Sequence, residues 1–260
     1  MNQNLLAQFS LQGKVVVLTG GAGLYGRGLT TFLASAGATL VIASRGLAAL
    51  ETVASEERAL GRNVEAEELD QGDEQSVLAL RDRVVARHGR VDGLVNNAVL
   101  RPMKSPDDSV ANWAESMRVN ATGLFAITRA FGEAMASQRG GSIVNIGSIQ
   151  GMVGANLWLY EGTNMGTVPD YFFHKGGMLN LSRYYAALLG PSGVRVNCLS
   201  PGGFYHNHDP HFVKRYESMT MLGRMARDSD LGGAVVFLLS DASSYITGAN
   251  LPIDGGYTAK

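Results

Sequence analysis

Apolar residues fall in short consecutive runs, separated by longer stretches in which they recur every three or four positions. The runs Lys14–Thr19, Thr39–Ala43, Val64–Leu69, Val91–Asn96, Gly141–Gly147, Val194–Leu199 and Asn250–Ile253 read as strands. Consecutive apolar positions, in place of alternation, suit strands covered on both faces. Helical spacing fills the intervals, at about Arg27 to Ala36, Leu47 to Leu60, Asp73 to His88, Ala111 to Ser137, Asp170 to Leu189 and Leu231 to Leu239. This alternation predicts an α/β fold: one domain over residues 1–260, with a doubly wound parallel β-sheet flanked by helices on both faces. A ligand of such a sheet lies beyond the carboxyl ends of its strands.

Those strand ends carry the polar chemistry. The first runs into Gly20-Gly21-Ala22-Gly23-Leu24-Tyr25-Gly26, where glycines permit a tight turn and let backbone N–H groups and a helix N-terminus approach a phosphate. The second stops at Ser44-Arg45. In dinucleotide folds an acidic residue near this point holds the ribose hydroxyls and an arginine accommodates a 2′-phosphate, so NADP(H) is the expected cofactor, with NAD(H) possible. Asp70-Gln71 and Asn97-Ala98 end the next two strands, Ser148 follows the fifth, and Asn120 interrupts an apolar-patterned segment. Tyr171 and Lys175 stand four apart, on one helix face. A phenol of ordinary pKa near ~10 exchanges protons poorly at neutral pH, and a neighbouring ammonium favours its phenolate, so the pair reads as a proton-transfer device.

Composition narrows the function. With 22 Lys and Arg against 23 Asp and Glu, and a net charge of −1, the chain has no electrostatic footprint for nucleic acid or an anionic membrane. No apolar run approaches ~18 residues, and the N-terminal MNQNLLAQFSLQGK lacks the layout of a signal peptide. The single Cys198 cannot form an internal disulfide; these features predict a cytoplasmic protein. His206, His208 and His211 with Asp209 invite a metal reading, but zinc needs a fixed tetrahedral set; no metal is expected, and polar substrate or surface contacts are the simpler roles. Met219, Met221 and Met225 read as gap-filling core or subunit contact.

The motifs TGGAGLYG at Thr19–Gly26, NNA at Asn96–Ala98, VNATG from Val119, IVNIGS ending at Ser148, YFFHK at Tyr171–Lys175, RVNCLSPGG at Arg195–Gly203 and YITGANLPIDGG from Tyr245 occur in the order found in one family. On these the chain resembles the classical short-chain dehydrogenases/reductases, of Rossmann fold, over nearly its whole length. The resemblance implies a catalytic tetrad: Tyr171 as acid or base, Ser148 hydrogen-bonding the substrate oxygen, Lys175 assisting the phenol and contacting the nicotinamide ribose, and Asn120 positioning a water relay. It places Gly20, Gly23, Tyr25 and Gly26 at the pyrophosphate, Ser44 and Arg45 at the adenosine ribose, and Asp70 and Gln71 at the adenine. Asn97 and Ala98 fall along the ribose, and Pro201, Gly202 and Phe204 near the carboxamide. A homotetramer is implied as well.

The departures are Leu24 for the middle glycine of the loop, Val99 after NNA, Phe172, Phe173 and His174 between Tyr and Lys, and His206 after the Pro-Gly motif. The step of 23 residues from Ser148 to Tyr171 (171 minus 148) is long for the family. The extra material, about 155–168, begins and ends near catalytic residues; a looser resemblance links such connections to a branch of bacterial surface-sugar and flagellin-glycan biosynthesis. Trp158, Tyr160, Glu161 and His206 are the candidate substrate contacts, the last in a substrate-covering segment at about 204–222. The expected activity is alcohol–carbonyl interconversion on a small polar, hydroxylated, sugar- or polyol-like substrate. The alternatives are reduction of a 3-oxoacyl thioester on an acyl carrier protein, with Arg101, Lys104 and Arg139 as a docking patch, or a non-catalytic cofactor sensor.

Overall fold

Seven runs pair into one sheet: β1 Val15–Thr19, β2 Thr39–Ser44, β3 Val64–Glu68, β4 Gly93–Asn96, β5 Gly141–Ile146, β6 Val194–Pro201 and β7 Asn250–Ile253. All but the outer β3, VEAEE, carry two or more of valine, isoleucine and leucine. The computed structural model describes residues 5–259; residues 1–4, part of the stretch read for targeting signals, and residue 260 lie outside the described residues. The strand order is β3-β2-β1-β4-β5-β6-β7, parallel throughout. The chain leaves β1 toward β2 on one side and returns to β4 on the other, so a crevice opens beyond the carboxyl ends of β1 and β4.

The helices are α1 Leu5–Gln8, α2 Leu24–Ser35, α3 Leu47–Ala59, α4 Glu74–His88, α5 Val110–Met117, α6 Gly123–Ser137, α7 Pro169–Leu189, α8 Pro210–Met219 and α9 Asp228–Leu239. Because successive strand side chains point to opposite faces, β1 feeds two cores. Val16 and Leu18 pack with Leu29, Leu33, Val235 and Leu238 of α2 and α9. Val15 and Val17 pack with Leu80, Val84, Ile127 and Phe131 of α4 and α6. No described helix is long and apolar enough to cross a membrane.

The structure departs from the sequence reading in three places. The single helix expected over 111–137 is broken by a π-helical turn at Arg118–Thr122 between α5 and α6, a widening that apolar periodicity does not register. Helix α2 starts at Leu24, where Arg27 was expected, because Gly23 rather than a polar residue holds the cap position. Helix α8 and a 3₁₀ turn at Leu157–Tyr160 were not anticipated. The start signal for α8 was nevertheless present: Asp209 accepts from the His211 N–H at 2.8 Å, and Pro210 occupies the first turn.

Two adjacent glycines in α9 test the packing of α2 against α9. A Cβ on Gly232 would stand 2.2 Å from Cγ of Phe32, whereas one on Gly233 meets nothing within 4 Å. Gly232→Ala should therefore cost about 1–3 kcal/mol by overpacking, and Gly233→Ala should add about 0.5–1 kcal/mol by removing a helical glycine. Denaturant midpoints should move in opposite directions; a common direction would refute the packing assigned to these positions.

Candidate active site

Beyond the carboxyl ends of β1, β2, β4 and β5 lies a cavity of roughly 580 Å³. It is lined by Gly20, Gly23, Tyr25, Ser44, Arg45, Asp70, Gln71, Asn97, Ala98, Tyr171 and Lys175, which the sequence assigned to cofactor or catalysis. Gly26, Asn120, Ser148, Pro201, Gly202 and Phe204 do not line it directly. Gly202 lines a second cavity with Gly203, Tyr216 and Asp254, and Pro201 pairs with Ile253 of β7.

At the glycine loop, Gly20 takes φ 71°, a left-handed value that favours glycine, and its carbonyl accepts from the Gly23 N–H at 2.9 Å. A Cβ on Gly26 would stand 1.9 Å from that same carbonyl oxygen, so Gly26 allows α2 to press against the loop. No side chain caps the first turn of α2, which leaves its N–H groups available to an anion. The exposed Leu24 lines the cavity without disturbing this turn. Asn97 braces the loop, with Nδ2 donating to the carbonyls of Thr19 at 3.0 Å and Gly20 at 3.2 Å. Across the loop, the Tyr25 hydroxyl donates to the Gly202 carbonyl at 3.2 Å and its ring lies 4.8 Å from that of Phe204; burial raises the Tyr25 phenol well above its ordinary value. Gly202 and Phe204 thus reach the cavity through Tyr25.

At the other end of the cavity, Gln71 donates through Nε2 to the Val119 carbonyl at 3.1 Å, while its buried Oε1 has no partner. Arg45 is exposed, and neither it nor the half-buried Ser44 donates a side-chain hydrogen bond to the protein among the described residues. An uncapped helix start, a glycine cradle, an orphaned amide oxygen and a free guanidinium together fit a dinucleotide.

Tyr171 lies in the first turn of α7 and Lys175 in the second, with the Lys175 ammonium 5.6 Å from the Tyr171 ring centroid. Lys175 is buried and donates to the Ile146 carbonyl at the end of β5. Burial pushes its ammonium below the ordinary lysine value, with Tyr171 and Cys198 acting in the opposite direction. Ser148 begins the 3₁₀ turn after β5, and its Oγ accepts from the Gln150 N–H at 3.1 Å. That turn abuts α7: a Cβ on Gly151 would stand 2.6 Å from the Lys175 carbonyl. Asn120 sits in the π-helical turn with its amide fully committed, Oδ1 accepting from the Leu100 N–H at 2.8 Å and Nδ2 donating to the Leu100 carbonyl at 2.7 Å. Behind it, Ser116 Oγ accepts from Asn120 Nδ2 at 3.0 Å and donates to Asp170 Oδ2 at 2.5 Å. Cys198, also buried, has its thiol pushed up to about 11 by desolvation.

None of the four candidate substrate residues lines the cavity. Trp158 lies under the Arg215 guanidinium at 5.3 Å, and its carbonyl accepts from Arg215 at 3.0 Å. The Tyr160 ring is 5.2 Å from Phe212, and the Glu161 carbonyl also accepts from Arg215. The insertion is therefore seated on α8, which the sequence reading had not joined to it. His206 is exposed, and its backbone N–H donates to His208 Nδ1 at 3.1 Å. Among the described residues no group of three His, Cys, Asp or Glu side chains could hold a metal. Met225 is buried and Met219 partly buried in the cluster around Phe212, as gap-filling predicts, but Met221 is exposed.

The sequence reading missed three groups here. Arg101, cast as part of a docking patch, lines the cavity and lies 4.8 Å over the Tyr171 ring; Arg139 lines a separate cavity with Gly141 and Val194, at the opposite strand ends. Asp170 and Ser116 support Asn120, a link invisible without the fold. His174 is 4 % exposed, stacked edge-on to Tyr171 at 5.2 Å, with both ring nitrogens unpartnered. Burial first, then Lys175 and Arg101, push its pKa down to about 3. Below pH ~6.5 the unfolded chain takes up a proton that folded His174 refuses until about pH 3, so stability falls as pH falls through that window, by up to about 1.4 kcal/mol per unit. His174→Phe should flatten this part of a urea stability profile measured from pH 7 to 4; an unchanged acid slope would show that His174 does not stay neutral.

A family model described as Enoyl-(Acyl carrier protein) reductase matches residues 25–258. Galactitol 2-dehydrogenase (L-tagatose-forming) of Cereibacter sphaeroides is 34% identical over 260 residues, covering 96% of this chain and 97% of that protein. Among solved structures, a gluconate 5-dehydrogenase from Burkholderia cenocepacia J2315 in complex with NADP and tartrate superposes with a TM-score of 0.90 at 30% identity, covering 99% of this chain and 100% of the other. An NAD+-bound xylitol dehydrogenase gives 0.85 at 29% identity, covering 95% and 99%. With the matching cavity and Tyr–Lys pair, these similarities establish that the chain belongs to the short-chain dehydrogenase/reductase family and is an NAD(P)-dependent oxidoreductase acting on CH–OH groups.

Proposed function

We propose that this enzyme interconverts an alcohol and a carbonyl on a small polyhydroxylated substrate, with Tyr171 as its acid and base. The observation that carries the reading is the buried Lys175 ammonium 5.6 Å from the Tyr171 ring, in the same cavity as the glycine loop. The relatives' activities on galactitol and gluconate support the substrate class. Bound nicotinamide cofactor would supply or accept the hydride. Gly20, Gly23 and the first turn of α2 would hold its pyrophosphate, and Asp70 and Gln71 its adenine.

The remaining steps belong to the protein. Ser148 donates to the substrate oxygen and fixes it near the Tyr171 hydroxyl. Tyr171 takes the proton of the alcohol on oxidation and returns it on reduction. Lys175 offsets the negative charge on the phenol oxygen while that oxygen holds no proton. Asn120, its side chain locked onto the Leu100 backbone, would hold through its main chain the water by which Lys175 exchanges protons with solvent. Carrier-protein docking has weaker support, because Arg139 stands at the opposite strand ends from Arg101.

Tyr171→Phe should lower kcat by at least ~100-fold, the scale of general acid–base catalysis, while cofactor affinity measured by fluorescence stays within about twofold. Residual turnover within tenfold of the parent would eliminate the assigned role.

The free guanidinium of Arg45 and the absence of an acidic residue beside it support a preference for NADP(H). Arg45→Ala should weaken NADPH about tenfold, on the order of 1.5 kcal/mol for a lost charge-assisted contact, and leave NADH nearly unchanged. Equal loss of both cofactors would refute the preference.

Exposed Phe125, Phe173, Tyr184 and Leu188 on α6 and α7 support a homotetramer. Light scattering at micromolar concentration should give the mass of four chains; a monomer would contradict the assignment.

A further inference from the structure

Most arginines outside the cavity are tied to other groups of the protein. Arg83, Arg118, Arg195 and Arg224, for example, donate to carboxylates or carbonyls of the protein. Neither Arg45 nor Arg101 donates a side-chain hydrogen bond or forms an ion pair among the described residues, and they occupy different parts of the cavity. Arg45 follows β2, at the adenosine end. Arg101 follows β4 and lies 4.8 Å over the ring of Tyr171, where the substrate oxygen must be.

The catalytic end holds a second cation, Lys175, and no carboxylate: the only acidic residue lining the cavity is Asp70, whose Oδ1 accepts from the Gly72 N–H at 2.9 Å. Arg101 opposes protonation of both Lys175 and His174, so in the free protein its charge works against its neighbours. A guanidinium stacked on a ring keeps its N–H edge available for a planar oxyanion.

Resting on the proposed alcohol–carbonyl activity, we propose that Arg101 receives a carboxylate carried by the substrate, so that the enzyme acts on hydroxy acids in preference to neutral polyols. The oxygen bound by Tyr171 and the carboxylate bound by Arg101 lie on one small molecule, which places the oxidised carbon within a few bonds of the acid group. Arg101 is then a specificity residue: it orients the substrate through the non-reacting end and takes no part in proton transfer.

The test uses matched pairs that differ in carboxylate against CH₂OH, D-gluconate with D-glucitol and D-glycerate with glycerol, titrated calorimetrically into the NADPH-saturated protein. In at least one pair the acid should bind 30-fold or more tightly than its polyol. Arg101→Gln should remove that gap and leave NADPH affinity within twofold, and Arg101→Lys should retain part of it. Equal binding of acid and polyol in both pairs would overturn the proposal, as would an Arg101→Gln variant that loosens NADPH as much as the acid, since the arginine would then belong to the cofactor. Tighter binding of glucitol 6-phosphate than of gluconate would overturn the carboxylate assignment in favour of a phosphate. Because binding is read without turnover, a failure of the catalytic reading, seen as no cofactor consumption with any of these compounds, is separable from a failure of this one.

Discussion

The site depends on keeping an ammonium out of water. Lys175 is 4 % exposed, and taking a charge into the interior costs several kcal/mol unless it is met by polar partners. Lysine has three donors, and the protein answers with one hydrogen bond, to the Ile146 carbonyl at the end of β5. That bond ties the register of α7 to the carboxyl edge of the sheet. It also sets where Tyr171, one turn back on α7, can stand. The glycines around it follow from the same constraint: Gly151 lets the turn after Ser148 close onto the backbone of Lys175, and Gly147 would carry its Cβ 2.7 Å from Cys198 Sγ. Larger residues there would move the serine and the lysine apart.

A second organising feature is the π-helical turn at Arg118–Thr122. Its widened backbone gathers two loops of the cavity at once, those after β4 and after β3. Asn120 holds the Leu100 backbone, which leads into Arg101. Arg118 donates to the Gly72 carbonyl at 2.7 Å. Val119 receives Gln71, and Gly123 leaves room for the Gln71 carbonyl, which a Cβ would approach to 2.2 Å. Such turns concentrate at functional sites because they let side chains depart from the regular helical ladder. Here the departure lets one polar side chain, Asn120, serve as a structural clamp beside the Tyr171–Lys175 pair.

Much of this was legible in the amino-acid order. Most of the strands are consecutive apolar runs bounded by glycine and polar residues, β3 with its VEAEE sequence being the exception, and that pattern is local, so the sheet and most strand ends could be read directly. The Tyr171–Lys175 pair was legible because helical spacing fixes the face that the two share. Arg101 was misassigned because nothing local tells whether an arginine beyond a strand end turns inward over a ring or outward to solvent. The link from Asp170 through Ser116 to Asn120 joins residues 54 and 4 apart in sequence, and no periodicity encodes the first of these steps. The π-helical turn escaped for a related reason: one extra residue in a turn leaves the apolar pattern on either side nearly intact.

The insertion shows how packing changes the meaning of a motif. Its aromatics marked it for substrate contact, yet Leu159 is 3 % exposed in a cluster with Ile149, Phe212, Tyr216 and Met225. Tyr216 accepts from the Gly203 N–H, and Gly202 accepts from Tyr25. A continuous run of contacts therefore joins the insertion, through α8, to the tyrosine of the glycine loop. Its two ends are tied as well, one following Ser148 and the other entering α7 at Pro169. A segment anchored at both ends and through a buried leucine is not free to swing on its glycines alone. Motion that opened it would have to carry α8 along, and with it the contact of Tyr216 on Gly203, so the insertion, α8 and the wall of the glycine loop belong to one packed unit.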